Sequence, residues 1–333
     1  MTSTVAAEPL VEQVARQDAA SASAWLLGLL GVAIFALTIP ATRLAIGPVS
    51  DPQMSAGFVT FGRAAAAGLL SALYLLATGA AWPNRTQGWR LGATGLGVVF
   101  GFPFFLGLAV RQVDAVHASV VTGVLPIATA ALGAVWLRQR PSPAFWACAL
   151  LGLGLVLGFA AWRGGGALVW ADGMLLAAVL SAAFGYVSGA RLSAPGAHVK
   201  AMAPQEVICW VLVMALPITL PLAWATQPGT ALRSSAWLAF GYVAVFSMWL
   251  GFFAWYRALA QGGTVRISQA QLLQPFLAMW FAVPLLGETL DLATLVFSLA
   301  VMATVFLSRR TRVDGSARNP PAVPLPFQPK ELS

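Results

Sequence analysis

Two stretches of eighteen residues, AVRQVDAVHASVVTGVLP (Ala109–Pro126) and ALAQGGTVRISQAQLLQP (Ala258–Pro275), align without a gap at an offset of 149. The alignment matches Ala109 with Ala258, Gln112 with Gln261, Val116 with Val265, Ser119 with Ser268 and Pro126 with Pro275. Each stretch closes one apolar run, turns, and opens the next run with a proline about ten residues in. Similarity at a fixed offset marks an internal repeat, and the unit repeated here is part of a series of apolar runs.

Composition says what those runs are. Of 333 residues, 59% are hydrophobic and only 9% charged, with mean hydropathy +0.79. Soluble domains carry roughly a quarter charged residues. A soluble enzyme, a disordered chain and a disulfide-stapled secreted domain are excluded, which leaves an all-α integral membrane protein. Ten runs have the length of a spanning helix: Trp25–Ile46, Met54–Thr78, Leu91–Val110, Ala115–Leu137, Ala144–Trp162, Leu168–Ala190, Gln205–Trp224, Ala236–Leu259, Val265–Leu286 and Leu292–Ser308. Between them lie turn formers such as Gly47-Pro48, Pro141-Ser142-Pro143, Gly164-Gly165-Gly166 and Gly262-Gly263. The repeat divides the ten helices into five and five, at residues 25–162 and 168–308. Five is odd, so the second copy enters the membrane inverted, the architecture of transporters that present two equivalent gates. Residues 1–24 are expected to be a cytoplasmic tail and not a cleaved signal, and the proline-rich residues 309–333 a disordered cytoplasmic tail.

Charge orients the map. With both ends in the cytoplasm, fourteen of the nineteen Lys and Arg face inward. Four face outward (Arg43, Arg111, Arg163 and Arg233), and Arg63 is left in the membrane. That is the positive-inside bias. Nine tryptophans, among them Trp82, Trp89, Trp162 and Trp224, fall at run ends, where amphipathic rings prefer the headgroup level. The net charge of +8 is spread over loops and forms no basic stripe, so no nucleic-acid partner is expected. Cys148 and Cys209 both lie in apolar runs without CxxC spacing, as space-filling residues do.

Polar residues in hydrocarbon ask for a reason. Arg63 lies nine residues past Met54, about 14 Å along a helix. It is either an anchor for an anionic group in a cavity or a structural cation bonded to neighbouring carbonyls. The ninth run is amide-rich. Gln271 and Gln274 share a helix face with Ser268, and Pro275 removes the N–H that would bond the Gln271 carbonyl. Such a group can bind a polar solute without a full charge, or else act as interhelical glue. Ser119 and Thr122 before Pro126 form the mirrored, poorer site. Aromatic candidates for a cavity wall are Trp249, Phe252, Phe253 and Tyr256 of the eighth run, Phe102 of the third, and Phe184 and Tyr186 of the sixth. No carboxylate lies deep in a run, which disfavours carboxylate-based proton coupling. His117 and His198 have no partners at metal spacing, and no phosphate-binding loop or catalytic triad pattern occurs. No metal, cofactor or catalytic residue is therefore expected.

Arg63, the Ser119…Pro126 and Ser268…Pro275 pairs, and Leu286-Gly287-Glu288-Thr289-Leu290 carry a resemblance. Over about Trp25–Ser308 the chain resembles a ten-helix member of the drug/metabolite transporter (DMT) superfamily, EamA type, whose signature is Leu-Gly-Glu-Arg-Leu. In the first copy the same place reads Leu137-Arg138-Gln139-Arg140-Pro141, with Gln139 where the family often has Glu. The resemblance implies a bacterial-type inner-membrane carrier, not an enzyme, exporting small metabolites or amino acids through a cavity between the halves. The expected partners are a small-molecule substrate and the bilayer, with the chain a monomer or weak homodimer. Rival readings are a channel, a non-transporting sensor and, last, a membrane-embedded enzyme.

Overall fold

A computed structural model describes residues 10–136, 140–193, 202–229, 232–262, 268–310 and 313–314. Its helices are α1 (Leu10–Ile46), α2 (Ala56–Thr78), α3 (Arg85–Ala109), α4 (Ala115–Trp136), α5 (Pro143–Arg163), α6 (Trp170–Ser193), α7 (Pro204–Ala225), α8 (Ser234–Ala258), α9 (Gln274–Leu286) and α10 (Leu292–Arg310). Eight of them contain a stretch long and apolar enough to cross a membrane, whereas α9 and α10 are shorter apolar helices. Among the described residues the only sheet is a two-residue pairing of Arg140–Pro141 with Val313–Asp314.

Local chemistry fixes the helix ends. Ser55 accepts from the Phe58 N–H at the start of α2, and Asn84 with Gln87 forms a reciprocal capping box at α3. Ser142 caps α5 just before Pro143, which needs no N–H in a first turn. Gly79 and Gly287 end α2 and α9 in the left-handed conformation that glycine adopts without strain. The sequence expectation differs at two places. Helix α1 begins by Leu10, so the segment expected as a tail of 24 residues is helical from there. The third helix starts at Arg85, six residues before Leu91, because the Asn84 cap recruits the polar turn. Most of the expected C-terminal tail lies outside the described residues.

The repeat offset runs through the fold. Helix starts at Ala56, Arg85 and Pro143 recur 148 or 149 residues on, at Pro204, Ser234 and Leu292. Packing follows the same rule. Helix α2 packs on α7 and α5 on α10. Helix α1 lies against α8 and α9, while α6 lies against α3 and α4. Interchanging each helix with the one five places later leaves that set of pairs unchanged.

Two π-helical turns obey the offset as well, Leu96–Gly101 in α3 and Val243–Leu250 in α8. The N–H of Phe102 reaches the carbonyl of Gly97, and the N–H of Gly251 that of Phe246. Glycines let these widened turns approach the neighbouring helices, Gly97 against backbone and Gly251, which follows the second turn, against the Phe35 and Ile34 side chains. A Cβ on Gly97 would stand 2.4 Å from the Ser181 carbonyl oxygen and 2.6 Å from the Gly185 nitrogen, and one on Gly251 would stand 2.9 Å from Phe35. Gly97→Ala must push α3 off α6 and is expected to cost roughly 1–3 kcal/mol. Gly92→Ala, with nothing within 4 Å, is expected to be neutral or slightly stabilising. Melting of the purified variants in detergent checks this. Equal melting temperatures for the two would show that the backbone contact does not constrain the packing.

Candidate functional site

Helices α4 and α9 are interrupted at the repeat-equivalent place. In α4 the helical run ends at Thr122 and resumes at Leu125. In α9 the chain winds as a 3₁₀ helix over Ser268–Leu273 before the α-helix begins at Gln274. The breaks meet, since a Cβ on Gly123 would lie 3.4 Å from the Pro275 ring. A small cavity opens at the meeting point, lined by Thr122, Gly123, Pro126, Gln271, Gln274 and Pro275 with Ile39 and Leu125. The 3₁₀ pattern bonds each carbonyl to the N–H three residues on. It bypasses the N–H that Pro275 lacks, so the free Gln271 carbonyl expected from sequence is not part of this site.

A second cavity adjoins the first and shares Ile39, Thr122, Leu125 and Gln274 with it. Its polar lining is Thr38, Arg63, Tyr186 and Ser247, and its aromatic wall is Phe35, Phe102 and Phe252. The hydroxyl of Thr38 donates to that of Ser247 at 2.8 Å, joining α1 to α8 across the cavity wall. Arg63 is only 3% exposed. Its Nη2 donates to the Met248 sulfur at 3.2 Å, while Nε and Nη1 have no partner among the described residues. The structural alternative for Arg63, bonding to helix carbonyls, is not what the side chain does.

Seven of the residues singled out in the sequence therefore converge: Arg63, Phe102, Thr122, Tyr186, Phe252, Gln271 and Gln274. Five others, Trp249, Phe253, Tyr256, Phe184 and Ser119, do not line the cavity. Trp249 and Phe253 tilt against each other at 5.0 Å, and Phe253 against Tyr74 at 5.0 Å. Tyr256 packs on Phe252 at 5.5 Å with its hydroxyl over Gly189. Phe184 stacks on Trp136 at 5.2 Å. The Ser119 hydroxyl turns back to the Ala115 carbonyl at 2.6 Å. The physical reason is angular. An aromatic stripe spaced i, i+3, i+4, i+7 covers an arc of about 100°, and the cavity meets only the edge that carries Phe252. Phe35, Thr38 and Ser247 escaped the sequence reading; the signal for the last two was a hydroxyl inside an apolar run.

The end of the molecule that carries the α1–α2, α3–α4, α5–α6, α7–α8 and α9–α10 connections is tied by charges. Arg43 bonds the Val110 carbonyl and faces Asp114 at 3.6 Å, Arg163 pairs with Asp291 at 3.1 Å, and Arg233 pairs with Asp51. Asp114 gives α4 no side-chain cap. Glu288, from the Leu-Gly-Glu segment after α9, caps α4 instead. Its two oxygens accept from Ala115 N at 2.8 Å and Val116 N at 2.7 Å. Burial pushes the Glu288 carboxyl up, against the pull of the two N–H bonds. Deeper in, His117 meets Asp172 at 2.7 Å, both buried, and the second Asp172 oxygen accepts from Val169 N. Asp172 stands in the first turn of α6, and the pairing with His117 is what permits its burial. Among the described residues no group of three metal-ligating side chains occurs.

Comparison with known proteins agrees with this architecture. A sequence model of the EamA-like transporter family matches twice, at residues 22–160 and 169–310. The uncharacterized transporter YdeK of Bacillus subtilis (strain 168) is 39% identical over 288 residues, covering 86% of this chain and 96% of that protein. A solved crystal structure of a protein superposes with a TM-score of 0.58 at 19% identity, over 86% of this chain and 96% of that one. At that identity the likeness is one of fold.

Glu288 yields a pH test. Its folded pKa is raised, so the stability it contributes is full below its ordinary value of 4.5 and is lost as pH rises through the higher folded value. Wild-type melting is expected to fall, relative to Glu288→Gln, as pH climbs from 4.5 toward neutrality. Glu288→Ala is expected to cost roughly 1 kcal/mol through the lost cap. Parallel melting profiles for wild type and Glu288→Gln would refute the assignment.

Proposed function

Belonging as it does to the EamA-like transporter family, the chain is, we propose, an exporter of amino acids or similar amphipathic solutes that works by alternating access. The observation that carries this reading is the cavity where the broken helices α4 and α9 meet, lined from both halves by Arg63, Phe102, Thr122, Gln271 and Gln274. Helix breaks in membrane transporters are tolerated where they line a cavity, because backbone and amide groups there are not exposed to lipid. An unpaired amide in hydrocarbon costs a few kcal/mol. A wet cavity removes that cost and makes the same groups available to a solute.

Alternating access needs two gates related by symmetry. The halves 25–162 and 168–308, with five helices each, supply them as inverted copies. The charged ties among Arg43, Asp114, Arg163, Asp291, Arg233, Asp51 and Glu288 close the end that the cation distribution assigns to the outside. Export then requires those ties to part while the cytoplasmic end closes. Both chain ends lie in the cytoplasm and the protein resides in the inner membrane.

Reporter fusions at Ser333 and within the α7–α8 connection should report opposite sides; the same side for both would overturn the topology. Counterflow in proteoliposomes tests carriage itself. A preloaded metabolite should drive saturable, transient accumulation of its labelled form, and non-saturating flux would indicate a channel. Gln274→Ala should leave melting nearly unchanged and weaken transport by roughly fivefold, the effect of losing about 1 kcal/mol of hydrogen bonding. Loss of folding in that variant would make the amide structural.

A further inference from the structure

Arg63 stands at the wall of the central cavity with most of its bonding capacity unused. A guanidinium has five N–H donors and stays protonated in proteins. Here the bond to the Met248 sulfur is the one hydrogen bond the guanidinium forms among the described residues, and a thioether is a weak acceptor. Whichever Nη2 hydrogen Met248 takes, one edge with two parallel donors remains free. That edge fits the two oxygens of a carboxylate. The charge balance points the same way. The residues lining both cavities include one cation, Arg63, and no carboxylate. An uncompensated charge buried in a low-dielectric setting is costly, and an anion entering the site relieves it. The apolar part of the same lining is Phe35, Phe102, Phe252, Val98 and Leu125 with Ile39 and Ala182.

We infer that the central cavity binds a monocarboxylate with an apolar body, the carboxylate pairing with Arg63 and the body lying against Phe35, Phe102 and Phe252. This rests on the carrier reading above and, among the solutes named there, selects amphipathic acids over amino acids. A zwitterion would bring an ammonium group into a site whose lining offers it only hydroxyls, amide oxygens and ring faces, beside a cation already present. Solutes with a single net negative charge are therefore preferred over both neutral and zwitterionic ones. The cavity as packed holds about 30 Å³, room for one or two waters. The solute enters when the halves part and is then wrapped by residues of both.

The test uses the full-length protein in detergent and three probes with one ring: phenylacetate, its uncharged amide phenylacetamide, and phenylalanine. Calorimetric or fluorescence titration should show phenylacetate binding about tenfold or more tighter than either of the others. Arg63→Gln should abolish the preference for the acid over the amide, and Arg63→Lys should keep part of it, as a point charge without the planar fork. Equal binding of acid and amide by the wild type, binding of neither, equal binding of phenylalanine, or a preference that survives Arg63→Gln would each overturn the inference. Should Arg63→Gln fail to fold, the wild type alone decides. Phenylglyoxal modification of Arg63, read on its peptide by mass spectrometry, should be slowed by phenylacetate and not by the amide; an equal rate with both overturns the site. Counterflow separates the two readings. Exchange of neutral solutes in preference to acids would sink the carboxylate site and leave the carrier standing. Acid binding at Arg63 without exchange of any solute would do the reverse.

Discussion

A backbone N–H or C=O without a partner costs several kcal/mol in hydrocarbon, so a chain that crosses a bilayer as helices can depart from regular winding only where protein or water shields it. Among the described residues, four departures stand at recognisable positions. The π turns Leu96–Gly101 and Val243–Leu250 are pressed against α6 and α1 through Gly97 and Gly251. The breaks after Thr122 and before Gln274 face each other across Gly123 and Pro275. All four belong to helices that border the central cavity, and each pair is related by the repeat offset. Irregular winding and the cavity thus have one cause: the cavity is where the fold can tolerate backbone that is not fully helical.

The charged end follows from a second constraint. On the topology proposed above, cations at this end would oppose the usual loop asymmetry, and three of the four arginines there are paired with Asp114, Asp291 and Asp51. Exposed pairs of this kind are individually weak. Their value lies in what they connect, because they join α1 to α4, α5 to the α9–α10 connection, and the α1–α2 connection to the start of α8. Glu288 is the best-placed member by geometry, with both oxygens on the orphan N–H groups at the start of α4, while its burial works against the charge that the helix dipole would favour. A set of weak ties and one buried cap joins these elements without locking them.

Much of this was legible in the sequence, for reasons that can be named. Run lengths and the 149-residue offset are one-dimensional signals of properties that the bilayer imposes, and they located most helix ends to within a few residues, the starts of α1, α3 and α9 excepted. Arg63, Gln271 and Gln274 stood out because polar groups in apolar runs are rare. The wall of the cavity was not legible in the same way. Whether Phe252 or Phe253 faces it depends on a rotation of about 100° per residue, and the π turn of Val243–Leu250 shifts that rotation without an obvious sequence mark. The bond between Thr38 and Ser247 spans 209 residues of chain, and the burial of Asp172 depends on His117 from another helix. Pairings of that kind are tertiary facts, invisible to a pattern read along one chain.

The two halves are alike in winding and unlike in chemistry, and the difference bears on how binding could drive movement. At the repeat offset, Arg63 corresponds to Leu212, Gln274 to Leu125 and Gln271 to Thr122. The first half contributes the charge on α2, the second the amides on α9. A ligand shifts an equilibrium only by its differential affinity for the two states. A solute held by one half alone would ride with that half and bias neither gate. One that reaches from Arg63 to Gln274 gains its full contacts only when the halves are together around it. Under the alternating access proposed above, symmetry of the fold would provide two equivalent ways to open, and asymmetry of the lining would make a bound solute favour the closed state between them.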